Sequence, residues 1–171
     1  MNTRKVNAKQ CKMVAHRGCS GLEKENTLAA FIAAGNRSYW GVETDVHRTA
    51  DGEYVVIHDS ETGRVAGDNI VIENTSFEYI RSLRLKDIDG TRTRADLRIP
   101  TLREYIAICK KYEKNCVLEF KTVYTLEQVA EMVEIIKEEG WLEHVVFISF
   151  AYDNLLNLRK ILPGHPAQFL T

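Results

Sequence analysis

Short apolar runs alternate along the chain with longer segments in which apolar residues recur every three or four positions. The short runs predict strands that begin at Met13, Val42, Tyr54, Cys116, Val145 and Ala167. The longer segments predict amphipathic helices over residues 28–36, 101–109, 126–139 and 153–162. Strands that alternate with helices predict an α/β fold with a mostly parallel sheet.

Local signals support several of these boundaries. Thr27 is suited to cap the helix that starts at Leu28, and Pro100 suits the entry to the next long helix. Too few residues separate the strand at Val42 from the one at Tyr54 for a helix to fit between them. Residues 60–99 are polar and contain one short amphipathic candidate, residues 77–85, so we interpret them as an insertion between residues 1–59 and 100–171.

Bulk properties restrict the class of protein. The chain has 171 residues, which predicts one domain, and 44% of them are hydrophobic. Its formal net charge of -1 argues against a nucleic-acid partner. The four cysteines form no CxxC pair, and we find no apolar signal sequence or membrane-spanning stretch. These features predict a cytoplasmic protein without stable membrane insertion.

Polar side chains recur where the predicted strands end, which in a parallel α/β fold is the face that carries active sites. Three of them, Glu43, Asp45 and Glu119, are carboxylates, and oxygen ligands suit a hard cation such as Mg²⁺ or Ca²⁺. Glu43 and Asp45 are two positions apart and so share one face of their strand.

Histidines and basic residues occur at the same strand ends. His16 and His58 could transfer protons near neutral pH. Arg17 and Lys121 would supply positive charge for an anionic substrate, most naturally a phosphate. Together with a metal ion, these groups describe a site for phosphoryl transfer or phosphodiester cleavage.

Each signal taken alone also has a structural interpretation. The pair Glu43 and Asp45 could lie on a solvated strand edge, and His58 could cap a turn together with Asp59. Glu119 and Lys121 could form a salt bridge on an exposed strand.

Seven short motifs occur in a fixed order from the first strand onward. They are Ala15-His-Arg-Gly18, Glu25-Asn-Thr27, Glu43-Thr-Asp-Val46, Thr49-Ala-Asp-Gly52, Val55-Val-Ile-His-Asp59, Ile99-Pro-Thr-Leu102 and Leu118-Glu-Phe-Lys121. With this ordered set the chain resembles the glycerophosphodiester phosphodiesterase family. The resemblance implies a (β/α)₈ barrel of the TIM type with a small insertion. It also implies metal-dependent hydrolysis of small glycerophosphodiesters to glycerol 3-phosphate and an alcohol.

The resemblance assigns a role to each candidate residue. Glu43, Asp45 and Glu119 would hold one divalent cation, Mg²⁺ or Ca²⁺. His16 and His58 would act as general acid and base, and Arg17 and Lys121 would contact the phosphate. A lysophospholipase D-like activity and an inactive fragment that binds metal or phosphoester are the alternatives.

The chain departs from the family at its C-terminal end. Six predicted strands leave the last two strands of the barrel without a counterpart, and a typical barrel of this kind needs about 250 residues. A longer polypeptide is the explanation we favour. Association of two copies into a homo-oligomer, or a natural fragment, would also account for it.

Overall fold

The computed structural model describes residues 4–171, which contain every strand predicted from the sequence. The strands are β1 (Val14–Ala15), β2 (Gly41–Arg48), β3 (Tyr54–Val56), β4 (Asn115–Phe120), β5 (Val145–Ser149) and β6 (Ala167–Phe169). The helices are α1 (Leu28–Gly35), α2 (Gly63–Ala66), α3 (Phe77–Ser82), α4 (Leu102–Lys111), α5 (Leu126–Glu138) and α6 (Tyr152–Ile161). Two short 3₁₀ turns cover Ile72–Asn74 and Leu142–His144.

The strands form one open sheet in the order β1-β2-β4-β5-β6, and all neighbours in this path are parallel. β3 pairs antiparallel with β2 as the second arm of a hairpin. The short connection noted in the sequence explains this direction, because a parallel neighbour needs a crossover of a dozen or more residues. The mostly parallel sheet predicted from the sequence is confirmed.

Helix N-termini agree with the sequence signals. The Thr27 hydroxyl accepts a hydrogen bond from the Ala30 backbone N–H. Thr101 and Glu104 form a reciprocal capping box at the start of α4, one residue after Pro100. The prediction of a single helical segment in residues 60–99 was wrong, since α2 and a 3₁₀ turn precede α3.

Two groups of buried side chains lie on different parts of the sheet. One face of β2 and β4 packs against α1, α4 and α5, with Val42, Val46, Leu118 and Phe120 at its centre. A second cluster joins β3 to residues 65–99. The polar segment therefore has an apolar interior of its own, while its limits at residues 60 and 99 stay a prediction.

Candidate active site

Three acidic side chains meet on the face of the sheet that points away from α1 and α4. Glu43 and Asp45 come from β2, and Glu119 comes from β4, where it is the register partner of Asp45. One carboxylate oxygen from each residue lies within 4.8 Å of the other two, and all three residues are buried. The structure thus brings together the carboxylates that the sequence marked as metal ligands.

This grouping is electrostatically unfavourable without a cation. Burial, followed by repulsion from Asp45 and Glu119, raises the pKa of Glu43 to about 8. The Oδ1 atom of Asp45 is buried and accepts no hydrogen bond within the described residues. Three buried carboxylates, one of which has an oxygen that accepts no hydrogen bond, are a set of hard donors, so they fit a divalent cation such as Mg²⁺ or Ca²⁺.

Two basic residues border the carboxylates. The Lys121 Nζ atom lies 2.8 Å from Glu119 Oε1 and 3.5 Å from Asp45 Oδ1. The Arg17 Nε atom lies 3.6 Å from Asp45 Oδ2. Lys121 and Arg17 therefore reduce the repulsion within the cluster and place positive charge beside it.

The loop after β1 brings its backbone into the site. Arg17 has a φ of 54°, a left-handed conformation that costs a non-glycine residue about 1–2 kcal/mol. In this conformation its backbone N–H donates a 2.8 Å hydrogen bond to Glu43 Oε2. The strained turn thus holds one carboxylate in place. Gly18, which follows with a φ of 73°, adopts its left-handed conformation without the steric cost of a side chain.

Asn26 is part of the site, although no role of its own was assigned to it from the sequence. Its side-chain amide donates a 2.8 Å hydrogen bond to Asp45 Oδ2, and its carbonyl accepts one of 2.9 Å from the Thr44 hydroxyl. Asn26 also has a left-handed backbone, with a φ of 52°. Its position between Glu25 and Thr27 in a short motif was the signal that could have identified it.

The two histidines differ in their surroundings. The His16 ring is 69% exposed, and its Nε2 atom lies 3.9 Å from Glu43 Oε2. The His58 Nδ1 atom lies 2.6 Å from Asp59 Oδ1, while the backbone carbonyl of His58 contacts the His47 ring at 3.2 Å. Burial alone would raise the pKa of Asp59, but hydrogen bonds with Arg64 and His58 lower it to about 2.

A backbone hydrogen bond joins the segment that carries His58 to β2. The N–H of the preceding residue, Ile57, donates a 3.1 Å hydrogen bond to the Asp45 carbonyl. His16, Arg17 and Lys121 each lie within 4 Å of one of the three acidic side chains. This backbone bond places Ile57 beside Asp45, while the His58 ring contacts Asp59 rather than one of the three carboxylates.

A cavity of about 840 Å³ borders the cluster on one side. Its lining includes His16 and Glu43 together with the apolar side chains of Val14, Val117 and Val146. Of the three carboxylates, Glu43 alone lines this cavity, so a small molecule in the cavity would reach the cluster from the side of Glu43. No helix within residues 4–171 is long and apolar enough to cross a membrane.

Comparison with known proteins gives a consistent result. The model of the glycerophosphoryl diester phosphodiesterase family matches residues 16–171. A glycerophosphodiester phosphodiesterase of Caldanaerobacter subterraneus subsp. tengcongensis is 32% identical over 153 residues, which is 88% of this chain and 63% of that protein.

Solved structures agree. A phosphodiesterase of Oleispira antarctica, in complex with the product sn-glycerol-3-phosphate, superposes with a TM-score of 0.82 at 29% identity, over 92% of this chain and 65% of that one. The glycerophosphodiester phosphodiesterase of Thermotoga maritima gives 0.72 at 29% identity, over 94% and 62%. These likenesses confirm the predicted barrel-type α/β fold, although the described strands form an open sheet. The chain spans less than two thirds of the length of these relatives.

Proposed function

The chain belongs to the glycerophosphoryl diester phosphodiesterase family, and on this premise we propose that it hydrolyses glycerophosphodiesters to glycerol 3-phosphate and an alcohol. The observation that carries the proposal is the buried cluster of Glu43, Asp45 and Glu119 with basic and imidazole groups around it. The Oleispira relative supports it, because that protein was solved with sn-glycerol-3-phosphate as product.

Glu43, Asp45 and Glu119 would hold one divalent cation, Mg²⁺ or Ca²⁺. Such a cation, when bound, stabilises negative charge on phosphoryl oxygens. The fit rests on the oxygen-only donor set and on the Asp45 Oδ1 atom, which has no hydrogen-bond donor in the described chain.

The remaining side chains have roles that follow from their positions. Arg17 and Lys121 would bind the phosphate with charge-assisted hydrogen bonds from the edge of the cluster. One histidine would take the proton of the attacking hydroxyl, which is either water or the glycerol 2-hydroxyl of the substrate. The other would protonate the departing alkoxide, and each transfer is worth on the order of 10²–10⁴-fold in rate.

Asp59 favours a defined state of His58. The contact between Asp59 Oδ1 and His58 Nδ1 keeps a proton on Nδ1, because an ionised carboxylate can only accept. The Nε2 atom would then face the substrate, either with a free lone pair as base or protonated as acid. We also propose that residues 60–99, which follow this histidine in the chain, form a small insertion in the barrel.

The test is release of glycerol 3-phosphate from glycerophosphocholine, measured with added Mg²⁺ or Ca²⁺ and again with EDTA. We expect turnover that EDTA abolishes. His16→Ala and His58→Ala should each nearly abolish turnover and keep cation binding, measured by calorimetry. The exposed His144 serves as the matched control, and His144→Ala should retain turnover.

Three results would contradict the proposal. Turnover unchanged in either site variant would reject the role of that histidine. No turnover by the wild-type chain with either cation would indicate the alternative of an inactive binding fragment. Cleavage of lysophosphatidylcholine in preference to glycerophosphocholine would indicate the lysophospholipase D-like alternative.

A further inference from the structure

We propose that Arg64 is a positioning residue that holds His58 and Arg17 in a fixed relation to each other. The inference rests on the proposed function, because it assigns Arg64 to the same site. Arg64 lies on α2, in the polar segment that follows β3, and no sequence motif singled it out.

Arg64 contacts two carboxylates from different parts of the chain with three nitrogens. Its Nε atom donates a 2.6 Å hydrogen bond to Asp59 Oδ2. Its Nη1 and Nη2 atoms donate hydrogen bonds of 2.8 Å each to the two oxygens of Glu25. One planar guanidinium therefore joins the end of the β3 hairpin to the loop before α1.

Each of these two carboxylates also contacts a residue of the site. The second oxygen of Asp59 lies 2.6 Å from His58 Nδ1. Glu25 Oε1 also accepts a 3.0 Å hydrogen bond from Arg17 Nη1, and Arg17 in turn lies against Asp45. A continuous series of contacts thus runs from the His58 ring through Arg64 to the carboxylate cluster.

The chemistry of the contacts suits positioning more than stabilisation. Arg64 is 46% exposed, and an exposed ion pair contributes little to folding. Burial alone would raise the pKa of both Glu25 and Asp59, but the contacts with Arg64, together with those of Arg17 and His58, lower both values to about 2, so both groups stay ionised near neutral pH. A lysine could not replace this arrangement fully, because its single ammonium cannot span both carboxylates as the guanidinium fork does.

A purely structural role for Arg64 would be to attach residues 60–99 to the loop before α1. Arg94 makes an attachment of that kind, since its Nη1 atom donates a 2.6 Å hydrogen bond to Glu23. Its other carboxylate partners, Asp87 and Asp96, belong to its own segment. Arg94 is therefore the matched control, because it joins the same two segments through partners other than Asp59 and Glu25.

The experiment compares Arg64→Gln, Arg64→Lys and Arg94→Gln in the full chain. The first readout is the ring ¹⁵N signals of His58, assigned with His58→Gln. The second is kcat and KM for glycerophosphocholine. We expect Arg64→Gln to shift the His58 signals and to lower kcat by about 10- to 100-fold, the scale of a small misplacement of a reacting group. Arg64→Lys should fall between Arg64→Gln and the wild type, and Arg94→Gln should stay within about twofold, as surface substitutions do.

Unchanged His58 signals in Arg64→Gln, or equal losses in Arg64→Gln and Arg94→Gln, would overturn the inference. If Arg64→Gln fails to fold, Glu25→Gln tests the same link from the other side, with the same expected shift at His58. If the wild type shows no turnover, the proposed function fails, and the ring signals still decide the role of Arg64.

Discussion

The substitution Glu43→Gln tests whether the carboxylate cluster is built for a cation. Glutamine keeps the shape of the side chain and an oxygen that can accept the hydrogen bond from the Arg17 backbone N–H. It removes the charge that burial and the neighbouring carboxylates oppose. In a buffer free of divalent cations, we therefore expect the variant to be more stable than the wild type at pH 7.

The size of the effect follows from linkage. The pKa of Glu43 rises from 4.5 to about 8 on folding, so the ionised group opposes folding. This cost is absent below pH 4.5, grows as the pH rises, and becomes constant above the folded-state pKa. pH 7 is roughly 2.5 units above the pKa of Glu43 in the unfolded chain, so at ~1.4 kcal/mol per unit the cost at this pH is about 3 kcal/mol.

The assay is urea denaturation followed by tryptophan fluorescence, at several pH values with and without Mg²⁺ or Ca²⁺. The stability advantage of Glu43→Gln should reach about 3 kcal/mol at pH 7 and vanish toward pH 4.5. A cation at 100 times its Kd should stabilise the wild type by about 2.7 kcal/mol. The variant should gain less, because it retains two of the three carboxylates. Glu134→Gln, at an exposed residue paired with Lys137, should show neither effect.

The reasoning is refuted if Glu43→Gln is no more stable than the wild type at pH 7, or if the difference in stability between the two proteins is the same at pH 7 and at pH 4.5. Equal stabilisation of both proteins by the cation would show that the cation binds elsewhere.

Three further substitutions test other contacts. Asp59→Asn should lower kcat by on the order of 100-fold, because the amide can no longer hold the proton on His58 Nδ1; unchanged kcat would contradict this role. Asn154→Ala should lower the free energy of unfolding by about 2–3 kcal/mol, because this fully buried amide makes three hydrogen bonds; a urea midpoint unchanged from the wild type would contradict it. Gly41→Ala should cost about 1–3 kcal/mol, because the new Cβ would lie 2.8 Å from the Asn115 carbonyl oxygen; a neutral result would show that β2 and β4 can separate locally.

The parts of the site that the sequence predicted are those with a local signal. Glu43 and Asp45 were identified because side chains two apart in a strand share a face, and the structure has both on β2. Glu119 was linked to them because parallel strands bring their carboxyl ends to one edge, and its register with Asp45 confirms this.

The parts that the sequence did not predict depend on contacts between distant residues. Arg64 and Glu25 are 39 positions apart, and nothing in either segment marks them as partners. Asn26 lies in a recognisable motif, but its hydrogen bond to Asp45 depends on how the loop folds back over β2. The α2 helix has only four residues, too few for a periodic pattern to indicate it.

The balance of charge explains why these residues occur together. Three carboxylates, with Arg17 and Lys121 beside them, carry a net charge of -1 when all are ionised. Without a cation the pKa of Glu43 is about 8, so this carboxyl is mostly protonated at pH 7 and the site is then close to neutral. A bound divalent cation would favour the ionised form, bring the charge of the site to about +1 and make the complex with substrate nearly neutral. A monovalent cation would leave the site neutral and the complex with substrate negative. Binding of a phosphodiester should therefore be stronger with a divalent cation, which is the physical reason to expect the two ligands to bind cooperatively.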